Sequence, residues 1–297
     1  MIGRRLVLDR IARRLLLGIT IVAGLIVIAM ILGLYVRSRP ILEIEPLSRL
    51  VFSSEWRPLS GKFGLLPFIT GTLWVTGGAV AIAVPLSLLA AIYLSEYAHR
   101  RVREWTKPLI DLLSGIPSVV YGVWGVLVVV PIIKDHLAPA VGSFSTGYCV
   151  LAGSIVLAVM ITPIIMHVSI EVLRTVPREL RDASLALGAT RWQGIKHAVL
   201  RRAAPGVTAA TVLGLSRAFG ETMAVLMVVG NVARTPSSLL DPAYPLPALI
   251  ANNYGEMMSV PLYDSALLLA CLVLLLVVLA FNIASRVVLV RMERSTQ

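Results

Sequence analysis

The sequence has 297 residues, of which 57% are hydrophobic and only 14% are charged, and its mean hydropathy is +0.86. Soluble chains are about 45–50% apolar and about 25% charged, so the composition excludes an ordinary soluble domain, and the Gly, Pro and Cys counts exclude collagen-like and disulfide-rich scaffolds. The formal charge of +11 would suggest a nucleic-acid partner in a soluble protein, but its distribution along this chain has another explanation.

Six long apolar runs predict six transmembrane helices, because a bilayer core of about 30 Å needs about 20 mainly apolar residues per helix. The first run follows five arginines and is longer than the roughly 7–15 residues of a signal-peptide core, so we expect it to be retained. The runs are 15–36, 67–94, 109–133, 147–170, 206–230 and 265–285, and the third is interrupted by Gly-Ile-Pro at 115–117. The sequence therefore predicts an all-α, multi-pass membrane protein.

Basic residues are distributed unequally between the two sides of these predicted helices. The termini and the segments on their side hold 19 of the 27 lysines and arginines, and the opposite loops hold seven. By the positive-inside rule both termini are predicted to be cytoplasmic. The membrane accounts for the net charge, and no nucleic-acid partner is expected.

The predicted helices divide the chain into three parts. Residues 1–66 comprise a cytoplasmic segment, the first transmembrane helix and an outer loop. Residues 67–285 form the main transmembrane domain, which includes a cytoplasmic hairpin at 171–205, and residues 286–297 form a cytoplasmic tail.

The longest cytoplasmic stretch has the pattern of two short helices. Pro177 suits the start of a first helix, and Gly188 is a natural stop. Thr190 and Gln193 form a capping-box pattern that begins a second helix. The stretch is either a solvated connector or a docking element for a cytoplasmic partner, and the small residues around Ser184 would allow such a partner to approach closely.

The fifth run carries Arg217 and Glu221 in its middle. A charge at the bilayer centre costs from about 2.5 to more than 10 kcal/mol and usually faces the protein interior. Residues four apart are neighbours on a helix face, and a stripe of small residues on the same helix favours close packing. That stripe comprises Gly206, Ala210, Gly214 and Ala218.

Two interpretations of this charged pair remain open. The pair is either an ion pair that neutralises itself and fixes packing, or part of a passage for oxyanions. In the second case the planar fork of Arg217 contacts the anion while remaining ionised, and Glu221 prevents binding that is too tight.

Other sites of chemistry are not expected. No G-x-x-x-x-G-K-[ST] pattern is present, so the chain has no recognisable ATP site, and neither the spacing of the histidines nor that of the cysteines fits a metal site. We interpret Cys149 and Cys271 as buried small hydrophobes and His167 as a packed or interfacial residue. No cofactor is predicted.

Residues 182–188 resemble the EAA loop of ABC importer permeases, with the glycine in register and Asp182 in place of the usual glutamate. Ser184 replaces the second alanine of that motif. The resemblance implies contact with a partner ATPase through seven residues: Asp182, Ala183, Ser184, Leu187, Gly188, Ala189 and Thr190.

Three further segments resemble signatures of phosphate-specific importer permeases. Residues 115–122 resemble the third-helix signature, 217–224 the fifth-helix signature and 248–253 the segment before the sixth helix. The Met-Ala after Gly-Glu-Thr is more like the PstC-type than the PstA-type subunits. The signature residues of the third helix are Gly115, Pro117, Ser118 and Tyr121.

The resemblance to PstC-type permeases implies a MetI-like, type I ABC importer fold in a bacterial or archaeal cytoplasmic membrane. It also implies that Arg217, Glu221 and Thr222 line a phosphate pathway. The implied partners are a second, PstA-like permease, a PstB-like ATPase dimer and a PstS-like external phosphate-binding protein.

Alternatives of other kinds are kept. A permease for sulfate or molybdate would need much the same hairpin. An ion-coupled secondary transporter usually has an internal repeat and several intramembrane carboxylates, whereas Glu221 is the only acid in the middle of a predicted helix. A membrane scaffold would explain the hairpin but not the buried charges.

Overall fold

The computed structural model describes residues 2–256 and 259–295, apart from the side chains of 2–9 and 292–295, and it is mainly helical. In this part of the chain, five helical stretches are long and apolar enough to cross a membrane. They are Arg10–Leu42, Leu66–Tyr97, Ser118–Ala140, Val150–Thr175 and Tyr263–Arg291. They match five of the six predicted runs, and the chain is a multi-pass membrane protein.

The helices are numbered in chain order. They are α1 (Ile2–Leu42), α2 (Leu47–Phe52), α3 (Leu66–Ile92), α4 (Arg100–Gly115), α5 (Ser118–Trp124), α6 (Val130–Ile132), α7 (Ala138–Ala140), α8 (Val150–Thr175), α9 (Arg178–Ala186), α10 (Arg191–Gly194), α11 (Leu200–Gly220), α12 (Met223–Val228), α13 (Leu246–Asn253) and α14 (Tyr263–Ser295). Wider π-helical turns continue several of them, at Tyr93–Tyr97, Gly125–Val129, Ile133–Leu137 and Ile195–Val199.

The first and last helices, α1 and α14, pack against each other. Ile41 of α1 is buried in the same apolar cluster as Leu267 and Leu269 of α14, and Leu34 packs against that cluster. None of the residues in the most apolar window of α1 is buried within the described part of the chain. An exposed apolar helix of this kind is suited to lipid, because an α-helix satisfies its own backbone hydrogen bonds.

A short strand pair closes one end of this bundle. Strands β1 (Trp56–Arg57) and β2 (Lys62–Phe63) pair antiparallel. The Trp56 ring lies 4.9 Å from the Phe68 ring centroid and 6.1 Å from that of Tyr263. These contacts hold the strand pair against the beginnings of α3 and α14.

Helices α3 and α8 form the tightest contact of the core. Small residues allow it: a Cβ added at Gly78 would lie 2.4 Å from the Ser154 hydroxyl oxygen. That hydroxyl donates to the carbonyl oxygen of Val75 at 3.2 Å, and the Ser87 hydroxyl donates to that of Thr162 at 3.1 Å. Close approach with interhelical hydrogen bonds is typical of membrane helices.

The third predicted run, 109–133, is interrupted at 115–117 as expected, but its residues before the interruption do not belong to the spanning helix. Residues up to Gly115 belong to α4, and the membrane-spanning helix begins at Ser118. Ile116 is extended, with ψ 129°, because the ring of Pro117 disfavours helical geometry in the residue before it. The spanning stretch then continues beyond the predicted end to Ala140.

The fifth predicted run, 206–230, is not a single helix. Helix α11 ends at Gly220, Glu221 is extended with ψ 125°, and α12 begins at Met223. The total of six spans therefore stays a prediction. The helical hairpin before this run is confirmed, and the segment 248–253 lies in the short helix α13.

Candidate functional site

The break between α11 and α12 contains the polar residues of the fifth-helix signature. Because α11 ends at Gly220, Glu221 does not continue the helix face that carries Arg217, and the expectation that the two are neighbours on one helix was wrong. The Glu221 carboxylate instead accepts a hydrogen bond from the backbone N–H of Ala224 at 3.2 Å. Among the described residues no ion pair joins Arg217 to Glu221.

Arg217 lies on a face of α11 that this chain leaves exposed. The small-residue stripe beside it packs against α8: a Cβ added at Gly214 would lie 2.4 Å from Cγ1 of Ile165, and one at Gly206 would lie 2.4 Å from Cγ1 of Val172. Through this stripe, α11 packs against α8 of the same chain. The guanidinium is left on the uncovered side and is not sealed in a helix junction.

The third-helix and fifth-helix signatures meet in space. A Cβ added at Gly122 would lie 3.3 Å from Cα of Ala224 and 2.5 Å from the Met227 sulfur, so α5 and α12 touch closely. Tyr121 is buried in the same cluster as Ala224. Two motifs about 100 residues apart in the sequence therefore form one site.

Hydrogen bonds stabilise the backbone at the two helix breaks beside this site. The Tyr121 hydroxyl donates to the carbonyl oxygen of Leu113 at 2.7 Å, which links α5 to α4 across the Pro117 break. The Thr222 hydroxyl donates to the carbonyl oxygen of Gly220 at 3.3 Å. The broken helix is therefore held by polar contacts of its own residues.

An open groove of about 1030 Å³ runs beside α4 and reaches the third-helix signature. Its lining includes the cations Arg103, Lys107 and Arg174, the acids Glu104 and Asp111, and the Gly115–Pro117 segment. On α4 these charged residues share one face, whereas the apolar Trp105, Leu109 and Leu112 lie on another exposed face. The groove therefore combines charged side chains with apolar ones, among them Leu112.

The α9–α10 hairpin, residues 177–203, has the local geometry that its sequence predicts. Gly188 has φ +81°, which glycine adopts without strain. The Thr190 hydroxyl accepts from the Gln193 backbone N–H at 3.3 Å, and the Gln193 side chain accepts from the Thr190 N–H at 2.8 Å. Both halves of a capping box are present.

The residues predicted to contact an ATPase are mostly exposed on this hairpin. Leu187 at the turn is 88% exposed, although it is apolar. Asp182, Ala183, Gly188 and Thr190 are also exposed, whereas Ser184 and Ala189 are half-buried. A Cβ added at Gly194 would lie 2.5 Å from the Ser184 hydroxyl oxygen, so the two arms of the hairpin are packed against each other.

Sequence reasoning missed three residues that attach the hairpin to the rest of the chain. Arg181 forms an ion pair with Glu96 at 2.7 Å, and Arg191 donates to the Glu96 carbonyl oxygen. Glu96 and Arg181 are 85 residues apart, so no local pattern reveals the contact. The sequence offers one signal of this contact: Glu96 is an acidic residue in the strongly basic stretch 95–108.

The sequence profile of the family described as "Binding-protein-dependent transport system inner membrane component" matches residues 83–295. "Phosphate transport system permease protein PstC" of Xylella fastidiosa (strain 9a5c) is 38% identical over 270 residues, covering 86% of this chain and 82% of that protein. "Probable ABC transporter permease protein YqgH" of Bacillus subtilis (strain 168) is 37% identical, covering 94% and 92%. The probable PstC of Methanocaldococcus jannaschii is 32% identical, covering 87% and 86%.

Solved structures share the fold at low sequence identity. A structure of the MetNI methionine ABC transporter in an inward-facing conformation aligns with a TM-score of 0.55 at 19% identity, covering 77% of this chain and 94% of the other. A bacterial alginate ABC transporter structure, in complex with a pentasaccharide-bound periplasmic protein, aligns with a TM-score of 0.60 at 15% identity, covering 86% and 85%.

Proposed function

Since the chain belongs to the family of binding-protein-dependent transport system inner membrane components, and within it to the PstC-type permeases, we propose that it forms half of the pathway of an ATP-driven phosphate importer. The observation that carries this proposal is the meeting of the two signatures at a broken helix beside the exposed Arg217. The chain itself performs no covalent chemistry in this scheme. A partner ATPase hydrolyses ATP.

Arg217, Glu221 and Thr222 line the pathway in this proposal. A guanidinium at membrane depth is tolerable where it faces a partner or a water-filled passage, and its fork matches the oxygens of an oxyanion. Glu221 holds the helix break through Ala224 and adds a negative charge to the pathway that Arg217 lines. That charge limits how tightly an anion is held, so that it can leave.

The groove beside α4 is the cytoplasmic mouth of the pathway in the same scheme. Its charged lining requires water, because charges within a membrane face a wet cavity or each other. Lys107 and Arg174 attract an anion that has passed Arg217, while Glu104 and Asp111 reduce the positive potential. This balance of charges favours release of the anion into the cytoplasm over its retention in the groove.

The α9–α10 hairpin docks on the ATPase. An apolar, almost fully exposed Leu187 on a capped and rigid turn suits insertion into a groove of a partner. ATP bound to the partner then favours one state of the permease over the other. The residues from Asp182 to Thr190 transmit that difference.

Four kinds of partner follow from this scheme. A second, PstA-like permease covers the face that bears Arg217, a PstB-like ATPase dimer binds the hairpin, and a PstS-like phosphate-binding protein docks on the outer segments. The bilayer surrounds the apolar faces, with both termini in the cytoplasm.

The decisive experiment is uptake into proteoliposomes that contain all four kinds of subunit, with phosphate, arsenate and sulfate compared. We expect phosphate uptake that depends on ATP and survives collapse of ion gradients. Uptake that stops when the gradient collapses would instead identify an ion-coupled transporter. A preference for sulfate over phosphate would identify a permease for another oxyanion.

A further inference from the structure

Glu96 lies at the centre of a polar junction at the end of α3. It belongs to the π-helical turn Tyr93–Tyr97, and its side chain is only 8% exposed. The Glu96 carboxylate accepts from Nη2 of Arg181 at 2.7 Å and from Nε at 3.1 Å. This two-point geometry is the strong and directional form of an arginine–carboxylate contact.

The same guanidinium also binds the last turn of α8. Nη2 of Arg181 donates to the carbonyl oxygen of Leu173 at 3.0 Å, and Nη1 donates to that of Val176 at 2.6 Å. These carbonyl groups have no partner within the helix because they lie at its end. One side chain on α9 therefore ties together the ends of α3 and α8.

The second arm of the hairpin binds the same turn. Arg191, the first residue of α10, donates to the carbonyl oxygen of Glu96, and its guanidinium carbon lies 4.8 Å from the Tyr97 ring centroid. Both arms are thus attached to one five-residue segment, Tyr93–Tyr97. Beneath these polar contacts, Leu94, Leu173, Val176, Ile195 and Val199 are buried in a single apolar cluster.

The helices of the candidate pathway are joined differently. Tyr121 of α5 and Ala224 of α12 belong to another apolar cluster, which also contains Val156 and Met160 from the middle of α8. The hairpin is thus joined by charged contacts to the ends of α3 and α8, whereas α12 packs against the middle of α8 and follows α11 only after the break at 221–222.

On the basis of the proposed function, we infer that Glu96 and Arg181 are positioning residues. They make the α9–α10 hairpin and the cytoplasmic ends of α3 and α8 move as one body during transport. A displacement of the hairpin by the ATPase then reaches α3 and α8 directly. The α5–α12 pair packs against the middle of α8 and lies beyond the break at 221–222, so the same displacement shifts it relative to the hairpin and opens or closes the site beside Arg217.

The first test measures phosphate transported per ATP hydrolysed by the reconstituted complex. Glu96→Gln keeps the size of the side chain but removes its charge, and Arg181→Lys keeps a charge but removes the fork. We expect both variants to assemble and hydrolyse ATP near the wild-type rate while this ratio falls about tenfold, within the usual range of couplings between sites. Arg39→Gln, which removes the exposed partner of Glu43 on α1, is the matched control and should leave the ratio unchanged.

The second test measures distances between spin labels in the assembled complex, with Cys149 and Cys271 replaced by alanine. Labels at Lys196 and Tyr93 report on the rigid body, and a label at Leu127 reports on the helix that continues α5; all three residues are exposed. With ATP, the 196–93 distance should stay constant while the 196–127 distance changes. Glu96→Gln should broaden the 196–93 distribution.

The possible outcomes separate this inference from the proposed function. A wild-type complex that hydrolyses ATP but moves no phosphate contradicts the proposed function. If the variants transport phosphate at the wild-type ratio of phosphate to ATP, the role of the Glu96–Arg181 junction is contradicted and the proposed function is not. The same holds if the 196–93 distance changes with ATP, or if the 196–127 distance stays constant. If the variants lose assembly, ATP hydrolysis and phosphate uptake in parallel, Glu96 and Arg181 have only a structural role and the inference is overturned.

Discussion

Glu221 lies four residues after Arg217, yet its carboxylate accepts a hydrogen bond from the backbone N–H of Ala224, 3.2 Å away, and no ion pair between the two is present in the described chain. A carboxylate that accepts from a backbone N–H at the beginning of a helix acts as a cap. The guanidinium of Arg217 is thereby left free for another partner, on a face that its own chain leaves exposed.

Arg217→Ala should reduce phosphate uptake about tenfold to a hundredfold without loss of assembly. Hydrogen bonds to charged groups contribute about 1.5–3 kcal/mol, and about 1.4 kcal/mol corresponds to a factor of ten. Uptake by the reconstituted complex and co-purification of the subunits measure the two effects. Arg202→Ala, an exposed arginine of the same helix, is the control, and loss of assembly in Arg217→Ala alone would favour a packing role.

Glu221→Gln should retain the helix break and alter transport. The amide oxygen of glutamine still accepts from the Ala224 N–H, but the negative charge that Glu221 adds to the pathway is removed. We expect the half-saturating phosphate concentration and the maximal uptake rate both to fall, each roughly fivefold, as about 1 kcal/mol produces. Unchanged transport kinetics would show that the charge of Glu221 has no role in transport. Glu221→Ala also loses the hydrogen bond to the Ala224 N–H, so it should in addition weaken assembly.

Gly188→Ala should impair the docking of the ATPase. Gly188 has φ +81°, and a residue with a Cβ loses about 1–2 kcal/mol in that left-handed region. Co-purification of the ATPase and phosphate uptake should both decline, whereas binding of the external protein should persist. Gly33→Ala has open space around its Cβ and serves as the control. Normal ATPase binding in Gly188→Ala would show that the turn geometry is dispensable.

The turn at 237–241 should open in acid. The Ser237 hydroxyl and backbone N–H donate to the Asp241 carboxylate at 2.7 and 2.9 Å, and these bonds hold the pKa of Asp241 below its usual value. Because the folded pKa is lowered, the stabilisation is complete above the unfolded pKa, which is about 4, and is lost as the pH falls through the folded value.

Hydrogen exchange at the Ser237 and Ser238 amides, corrected for its intrinsic pH dependence, measures this opening. Protection should decline below about pH 4. Asp241→Asn should reduce the protection and abolish its pH dependence. A wild-type turn that stays fully protected at pH 3 would contradict the role of the charged carboxylate.

Local chemistry made the hairpin predictable from sequence. A glycine stop at Gly188 and a capping box at Thr190 and Gln193 each act within a few residues, so the pattern alone specifies the fold there. The helix break at Glu221 was missed because the run around it is apolar enough to suggest a continuous helix. The side chain of Glu221 competes for a backbone N–H, and that competition ends α11.

The junction around Glu96 could not be predicted in the same way. Its contacts join residues 85 and 95 positions apart, and they depend on how α3, α8 and the hairpin are packed. The groove beside α4 could not be predicted for a related reason: it is lined by α4 together with Arg174 of α8, and only the packing of these two helices brings the residues together.

The contact between α1 and α14 has a consequence for biosynthesis. Because α1 is synthesised before α14, the apolar cluster around Ile41 and Leu267 cannot be completed until α14 has left the ribosome. A chain truncated before α14 would therefore lack the side chains of Leu267 and Leu269 that bury Ile41.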